Sequence, residues 1–190
     1  MALDVMFVNG LLFLLMVSSK LKFLTAEFLE NMKINNIYEC YKTVIKLYNS
    51  RGFIIKHLLG DPQFDGMKQW LYNYYNIIYK GAAADKHIPK VETIIWVVKE
   101  RVCASISHFP WKEATPQLIV KEIVKYCITM INSFPPKSGI ETHLSPCNIV
   151  TGKTLDYQRD FKIPFGDYIQ VHKNEELRNN MAEKLSEPFA

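Results

Sequence analysis

The sequence predicts a mixed α/β domain in which helices cover a five-stranded sheet. Near the N-terminus, an apolar run is split by Asn9-Gly10, a dipeptide that favours the two-residue turn of a β-hairpin. Apolar residues recur at helical spacing in three longer segments, 30–50, 89–108 and 115–132. Shorter apolar runs lie between the first two of these segments and indicate further strands.

The first three strands are expected at 2–8, 11–18 and 21–28. The apolar run 5–17 also resembles a signal peptide or a membrane anchor. It is shorter than the ~20 residues that cross a bilayer. Asp4 also stands where a signal peptide is positively charged, and no small-residue cleavage site follows. We therefore expect a hairpin, with a membrane-anchored protein as the minor alternative.

The elements then alternate. A helix at 30–50 ends at Arg51-Gly52, and a buried strand is expected at 53–59. A helix at 64–73, a strand at 76–80 and a small-residue loop, Gly81-Ala82-Ala83-Ala84, come next. Pro89 suits the first turn of the following helix, because its missing N–H leaves no helical hydrogen bond unmade there. The last helix, 115–132, is stopped by Phe134-Pro135-Pro136.

We expect residues 1–134 to form the main domain and residues 135–190 to form a partly irregular C-terminal extension. The extension contains turn signals and a short strand candidate at 167–172. The polar run 173–187 is expected to be solvated.

Composition indicates an intracellular globular protein. Hydrophobic residues make up 48% and charged residues 22% of the 190 residues, enough for a core. The net charge of +4 is a mild basic excess, which permits polyanion binding but does not prove it. The four cysteines and five histidines show no zinc spacing, so buried free thiols are expected rather than two disulfides. No phosphate-binding glycine loop is present.

Three carboxylates stand where a two-metal site would need them. Asp4 opens a strand, Asp61 ends another, and Glu92 lies in the first turn of a helix. Mg²⁺ and Mn²⁺ prefer oxygen ligands, and a pair of such ions can promote phosphodiester chemistry. Each acid also has a plainer interpretation: Asp4 could be idle, Asp61 a turn residue and Glu92 a partner of the helix dipole.

Several motifs, taken in order, resemble the integrase catalytic core of copia-type retrotransposons. They are Asp4 with Val8-Asn9-Gly10, Asp61-Pro62-Gln63-Phe64-Asp65, Pro89-Lys90-Val91-Glu92, Val98-Lys99-Glu100-Arg101, Ile131-Asn132-Ser133-Phe134-Pro135, Ser145-Pro146 with Val150-Thr151-Gly152, and Pro164-Phe165-Gly166 with Val171-His172. The resemblance implies a ribonuclease-H-like fold. It further implies that Asp4, Asp61 and Glu92 are the catalytic and metal-binding triad, with Mg²⁺ or Mn²⁺ as cofactor.

The resemblance also implies partners. Lys99 and Arg101 would bind DNA, and the chain would act as a multimer that processes the 3′ ends of element DNA and joins them to target DNA. The Asp61–Glu92 spacing is somewhat short for the family, and no zinc-binding N-terminal module is present. We therefore expect a polyprotein fragment, a degenerate copy or a domesticated derivative. A catalytically inactive nucleic-acid- or protein-binding module on the same fold is the alternative.

An aromatic cluster and scattered cations allow two interpretations each. The aromatic residues Trp70, Tyr72, Tyr74, Tyr75 and Tyr79 could stack on unpaired bases or pack in the core with their polar tips exposed. The cations Lys20, Lys22, Lys42, Lys46 and Arg51 could lie along phosphates or be solvated.

Overall fold

A computed structural model describes residues 1–81, 89–109, 114–163, 165–167, 169–172 and 186–189. The chain forms two compact units, Met1–Leu155 and Asp156–Ala190. The small-residue loop at 82–84, Pro110 and Pro164 lie outside the described residues, as does most of the predicted polar run 173–187.

The N-terminal hairpin is confirmed. β1 (Ala2–Val8) pairs antiparallel with β2 (Leu11–Val17). Asn9 and Gly10 both have positive φ, 46° and 76°, as a type I′ turn requires. β3 (Leu24–Leu29) pairs antiparallel with β2. No helix within the described ranges is long and apolar enough to cross a membrane.

Parallel strands complete the sheet. After α1 (Ile34–Ser50), β4 (His57–Gly60) pairs parallel with β1, and β5 (Ile78–Gly81) pairs parallel with β4. The strand order is β3-β2-β1-β4-β5. The other α-helices in the described part of the first unit are α2 (Lys68–Tyr75), α3 (Pro89–Ser107), α4 (Gln117–Asn132) and α5 (Pro146–Thr151). The predicted mixed sheet with flanking helices is thus confirmed.

The predicted strand at 53–59 is too long, because the end of α1 uses part of it. Gly52 takes a positive φ of 76°, and the Phe53 N–H donates 3.0 Å to the carbonyl of Tyr48. An N–H that closes a helix is not available to a strand ladder. The sheet therefore gains only the four residues of β4.

The predicted helix at 64–73 is divided. Pro62–Met67 forms a 3₁₀ helix, and α2 follows it directly. Phe64 and Met67 are both fully buried. Residues three apart lie on one side of a 3₁₀ helix, so this tighter winding buries both side chains together.

The sheet has a helical layer on each face. On one face, α1 packs on a cluster that includes Leu3, Leu14 and Met16. The alternate residues of the strands face the other way, where α3 contacts β1 and β2 and α4 contacts β3. Lys121 of α4, whose Nζ lies 3.4 Å from the ring centre of Phe28, marks that second face. Leu3 faces α1, and successive side chains of a strand point to opposite faces of the sheet. Asp4, the next residue of β1, therefore belongs to the second face.

The second unit contains short elements. Asp156 caps α6 (Tyr157–Asp160) by accepting hydrogen bonds from the N–H groups of Gln158 and Arg159, at 3.0 and 3.3 Å. β6 (Ile169–His172) and β7 (Ser186–Phe189) form an antiparallel pair. A strand was expected at 167–172, and the described part of it is extended.

All four cysteines are free thiols, as expected. Their burial differs from the prediction: Cys127 is buried, whereas Cys103 is exposed on α3.

Candidate active site

The register of two parallel strands brings Asp4 and Asp61 to one level of the sheet. Ala2 on β1 is paired with Leu59 on β4. Two residues further along each chain lie Asp4 and Asp61. Neighbouring strands are about 4.8 Å apart, so the backbones of these two acids are adjacent. Asp61 directly follows the last residue of β4, where the chain leaves the sheet.

Asp4 is half-buried and occupies the centre of the sheet. The N–H of Leu59 donates 2.9 Å to the carbonyl of Met1, so odd-numbered residues of β1 direct their backbone groups towards β4. The Val5 N–H therefore points beyond the end of β4. It donates instead to Oδ1 of Asp4, at 2.7 Å. Because β4 ends at Gly60, the Val5 N–H is available to orient the Asp4 carboxylate.

Asp61 is held through its backbone. Its conformation is extended, with φ −70° and ψ 159°, and its carbonyl accepts from the Phe64 N–H at 3.0 Å and the Tyr79 hydroxyl at 2.6 Å. Its side chain makes no capping hydrogen bond to the 3₁₀ helix that it precedes. The Asp61 carboxylate therefore does not perform the local role that a turn aspartate usually has.

Gly60 sets how closely this segment approaches its neighbours. A Cβ at this position would lie 3.2 Å from each of three atoms: Cγ of Leu3, Cδ2 of Phe64 and the hydroxyl oxygen of Tyr79. Only a residue without a side chain fits there without displacing a neighbour. The residue before Asp61 is thus fixed by packing on three sides.

Tyr79 remains a hydrogen-bond donor. Burial, followed by the negative charges of Asp65 and Asp61, raises the pKa of its phenol. Asp65 belongs to the same surroundings, since a Cβ on Gly81 would lie 3.1 Å from its Oδ1. Burial and these two carboxylates therefore keep the proton on the Tyr79 oxygen, so the phenol stays a donor to the Asp61 carbonyl.

Glu92 lies on α3. The helix buries Val91, Val98 and Val102, and Glu92 lies in its first turn with an exposed side chain. Because α3 contacts β1 on the face to which Asp4 belongs, the third acid is carried by the helix that covers the first.

Lys99 and Arg101 lie on different sides of α3. Lys99 is seven residues after Glu92, so the two share one exposed stripe. Arg101 is rotated from Lys99 by about 200°. Its charge acts on Cys127 of α4: burial raises the pKa of that thiol, and a hydrogen bond from Ser105 and the Arg101 charge partly offset the effect. Lys99 therefore lies on the same exposed stripe of α3 as Glu92, whereas Arg101 lies on the side of the helix towards α4.

The donor chemistry of the three acids fits a hard divalent cation, because all three are carboxylates and such ions prefer oxygen ligands. Over the described part of the chain, however, no three His, Cys, Asp or Glu side chains are gathered closely enough to hold a metal ion. Carboxylates repel one another at neutral pH, and a bound cation would offset that repulsion.

The sequence names Tyr79 only as one of an aromatic cluster and does not predict its contact with Asp61. The contacts of Gly60 and Tyr79 depend on long-range packing, for which the sequence offers no local signal. Trp96 falls on the polar stripe of α3 between Glu92 and Lys99, and it is 60% exposed.

Comparison with known proteins supports the fold. No protein-family model matches the chain, and no curated protein matches it. Among solved structures, the catalytic core domain of BIV integrase superposes with a TM-score of 0.58 at 17% sequence identity, over 80% of this chain and 92% of that one. The chain therefore has the ribonuclease-H-like fold of an integrase catalytic core, as its sequence predicts.

Proposed function

We propose that the chain is a metal-dependent polynucleotidyl transferase core that processes DNA 3′ ends and joins them to target DNA. The observation that carries the proposal is the strand register that brings Asp4 and Asp61 to adjacent positions at the end of β4. The ordered motifs of the sequence favour a relation to copia-type retrotransposon integrases.

Each acid has a defined part in this proposal. Asp4 and Asp61 would hold one divalent ion between neighbouring strands, and Glu92 would complete the site from α3. Two Mg²⁺ or Mn²⁺ ions would activate the attacking oxygen and stabilise the leaving oxygen of the phosphodiester. The Val5 N–H orients the Asp4 carboxylate, and the Tyr79 hydroxyl holds the backbone of Asp61.

DNA would approach along the exposed stripe of α3. Lys99 supplies a positive charge for a phosphate, and Trp96 offers an exposed ring for the end base pair. Arg101, on the side facing α4, would contact a different part of the DNA. The family resemblance further favours a homo-multimer.

The proposal is tested by Mn²⁺-dependent cleavage and strand transfer on labelled DNA duplexes. Asp61→Asn and Glu92→Gln remove a charged ligand with little change of shape, so each should abolish turnover while leaving the unfolding transition unchanged. Glu100→Gln, on the same helix and also exposed, is the matched control and should retain activity. Full activity of both triad variants would refute the proposal.

Lys99 is tested separately, by DNA binding. Lys99→Ala should weaken binding and reduce the slope of log affinity against log salt by about one. An unchanged slope would remove Lys99 from the DNA interface.

A second candidate is a catalytically inactive nucleic-acid-binding module on the same fold. The same fold allows this candidate, because a fold by itself does not imply an activity. A pure protein that binds DNA with equal affinity in Mn²⁺ and in chelator, and neither cleaves nor joins it, would favour this candidate.

A further inference from the structure

A groove of about 960 Å³ lies between the C-terminal half of α1 and α2. Its walls combine aromatic rings with side-chain amides. The lining residues that carry these rings and amides include Asn49, Phe53, Tyr72, Asn73, Tyr74 and Tyr75. The groove is thus neither purely apolar nor acidic, and its chemistry differs from that of the three carboxylates.

A second cavity, of about 510 Å³, continues this surface. The two share residues 53–55, and the second is also lined by Lys20, Lys56 and His57. His57 begins β4, whereas Asp61 follows the other end of that strand. The groove and cavity therefore lie at the end of the sheet opposite to the candidate active site.

Two aromatic rings of the groove, those of Tyr74 and Tyr75, contact the ring of Trp70. Trp70 stacks on Tyr38 with the ring centres 4.5 Å apart, and its ring also lies 6.1 Å from Tyr74 and 5.0 Å from Tyr75. Tyr74 nevertheless remains 74% exposed, and Tyr72 is 60% exposed. An aromatic ring that is oriented by the protein and still open to solvent is a ready stacking platform.

The charged residues that line the cavity are cationic. Lys20 and Lys56 line it, and the described residues that line the groove and the cavity include no Asp or Glu. Arg51 is exposed directly before Gly52 of the groove wall. Lys42 of α1, with its Nζ 6.0 Å from the Trp70 ring centre, is ion-paired with Glu39 at 2.5 Å and adds no net charge. This arrangement is complementary to a chain of phosphates.

We propose that this groove binds single-stranded nucleic acid. Bases stack on Tyr72 and Tyr74, while Arg51, Lys56 and Lys20 neutralise phosphates along the shared wall. The amides of Asn49 and Asn73 face the same space and can hydrogen-bond base edges. The proposal involves none of the three acids, so its test is independent of any test of catalysis.

The test uses the full chain and labelled oligonucleotides of about eight nucleotides, a length within the usual site size for stacking proteins. Fluorescence anisotropy compares oligothymidylate with an abasic oligomer of equal length and charge, in chelator. The thymidylate should bind more tightly, because only it carries bases. Matched oligodeoxy- and oligoribonucleotides identify which nucleic acid binds better.

Variants locate the site. Tyr74→Ala should weaken thymidylate binding by about 5- to 160-fold, the effect of losing one stacked base, and Tyr74→Phe should retain it. Tyr157→Ala is the matched control, because Tyr157 is also exposed but lies outside the groove. Asp61→Asn should bind as the wild type does, so a loss of catalysis and a loss of this site are distinguishable.

Three results would overturn the proposal. Equal affinity for the abasic oligomer would exclude base stacking, and full binding by Tyr74→Ala would exclude this groove. Sedimentation provides the third: a wild-type dimer that Tyr74→Ala dissociates, without oligonucleotide binding, would identify the groove as an interface between copies of the chain.

Discussion

The hydroxyl of Tyr79, on β5, donates a 2.6 Å hydrogen bond to the backbone carbonyl of Asp61. The same carbonyl accepts from the Phe64 N–H at 3.0 Å, so two donors fix the residue where it leaves the sheet. A residue of one strand thus positions an acid that follows the neighbouring strand.

Tyr79→Phe tests this link. The variant removes one hydrogen bond but keeps the ring, so we expect a loss of about 1 kcal/mol in the free energy of unfolding, measured in urea. Strand transfer should fall as well, because Asp61 loses a restraint. Tyr38→Phe is the control: it removes a 3.0 Å hydrogen bond to the Gly66 carbonyl and should leave strand transfer intact. Equal activity of the two variants would contradict a positioning role for Tyr79.

Gly60→Ala tests the packing before Asp61. The added methyl group would meet three atoms at 3.2 Å, and overpacking of this kind costs about 1–3 kcal/mol. Gly66→Ala provides a control, since a Cβ there meets only Ile34, at 3.5 Å and beyond. The melting temperature of Gly60→Ala should therefore be clearly lower than that of Gly66→Ala. Similar melting temperatures would show that the neighbours of Gly60 move aside without strain.

Asn132 ties the end of α4 to β3. Its Oδ1 accepts from the Leu24 N–H and its Nδ2 donates to the Leu24 carbonyl, both at 2.8 Å, and it is buried. Asn132→Ala would leave two buried backbone groups without these partners, at a cost of about 2–4 kcal/mol. Asn73→Ala, at an exposed position, should change stability by less than about 0.5 kcal/mol. Chemical denaturation of both variants measures the difference, and equal losses would refute this role.

The raised pKa of Glu27 makes the stability of the fold depend on pH. Burial raises the pKa of its carboxyl above the ordinary 4.5, and the nearby charge of Lys125 offsets this only partly. The folded state therefore favours protonated Glu27, and this contribution is fully present below pH 4.5 and lost as the pH rises through the raised pKa. Glu27→Gln should raise the melting temperature at pH 7 and change it little at pH 4. The same difference at both pH values would contradict the assignment.

Local patterns predicted most of the fold. Asn9 and Gly10 specify a type I′ turn by themselves, because few other residues adopt positive φ at both positions. α3 and α4 follow from apolar spacing alone. The apolar run 53–59 predicts a strand longer than β4, because the Phe53 N–H closes α1 and is not available to the sheet. An apolar run does not show this competition between helix and strand.

The site was less accessible to sequence reasoning. The three acids were proposed from their positions at strand ends and a helix start, but the adjacency of Asp4 and Asp61 depends on the pairing of β1 with β4 across more than 50 residues. The contacts of Tyr79 and Gly60 likewise arise only in the folded chain. Spacing can nominate ligands, whereas register and packing decide which ones meet.

A crystal structure with bound Mn²⁺, located by anomalous scattering, tests whether Asp4 and Asp61 share a metal ion. We expect a Mn²⁺ peak at about 2–2.5 Å from carboxylate oxygens of both Asp4 and Asp61, with Glu92 turned towards it. A well-ordered crystal in saturating Mn²⁺, with no peak at these two carboxylates, would contradict the proposed metal site.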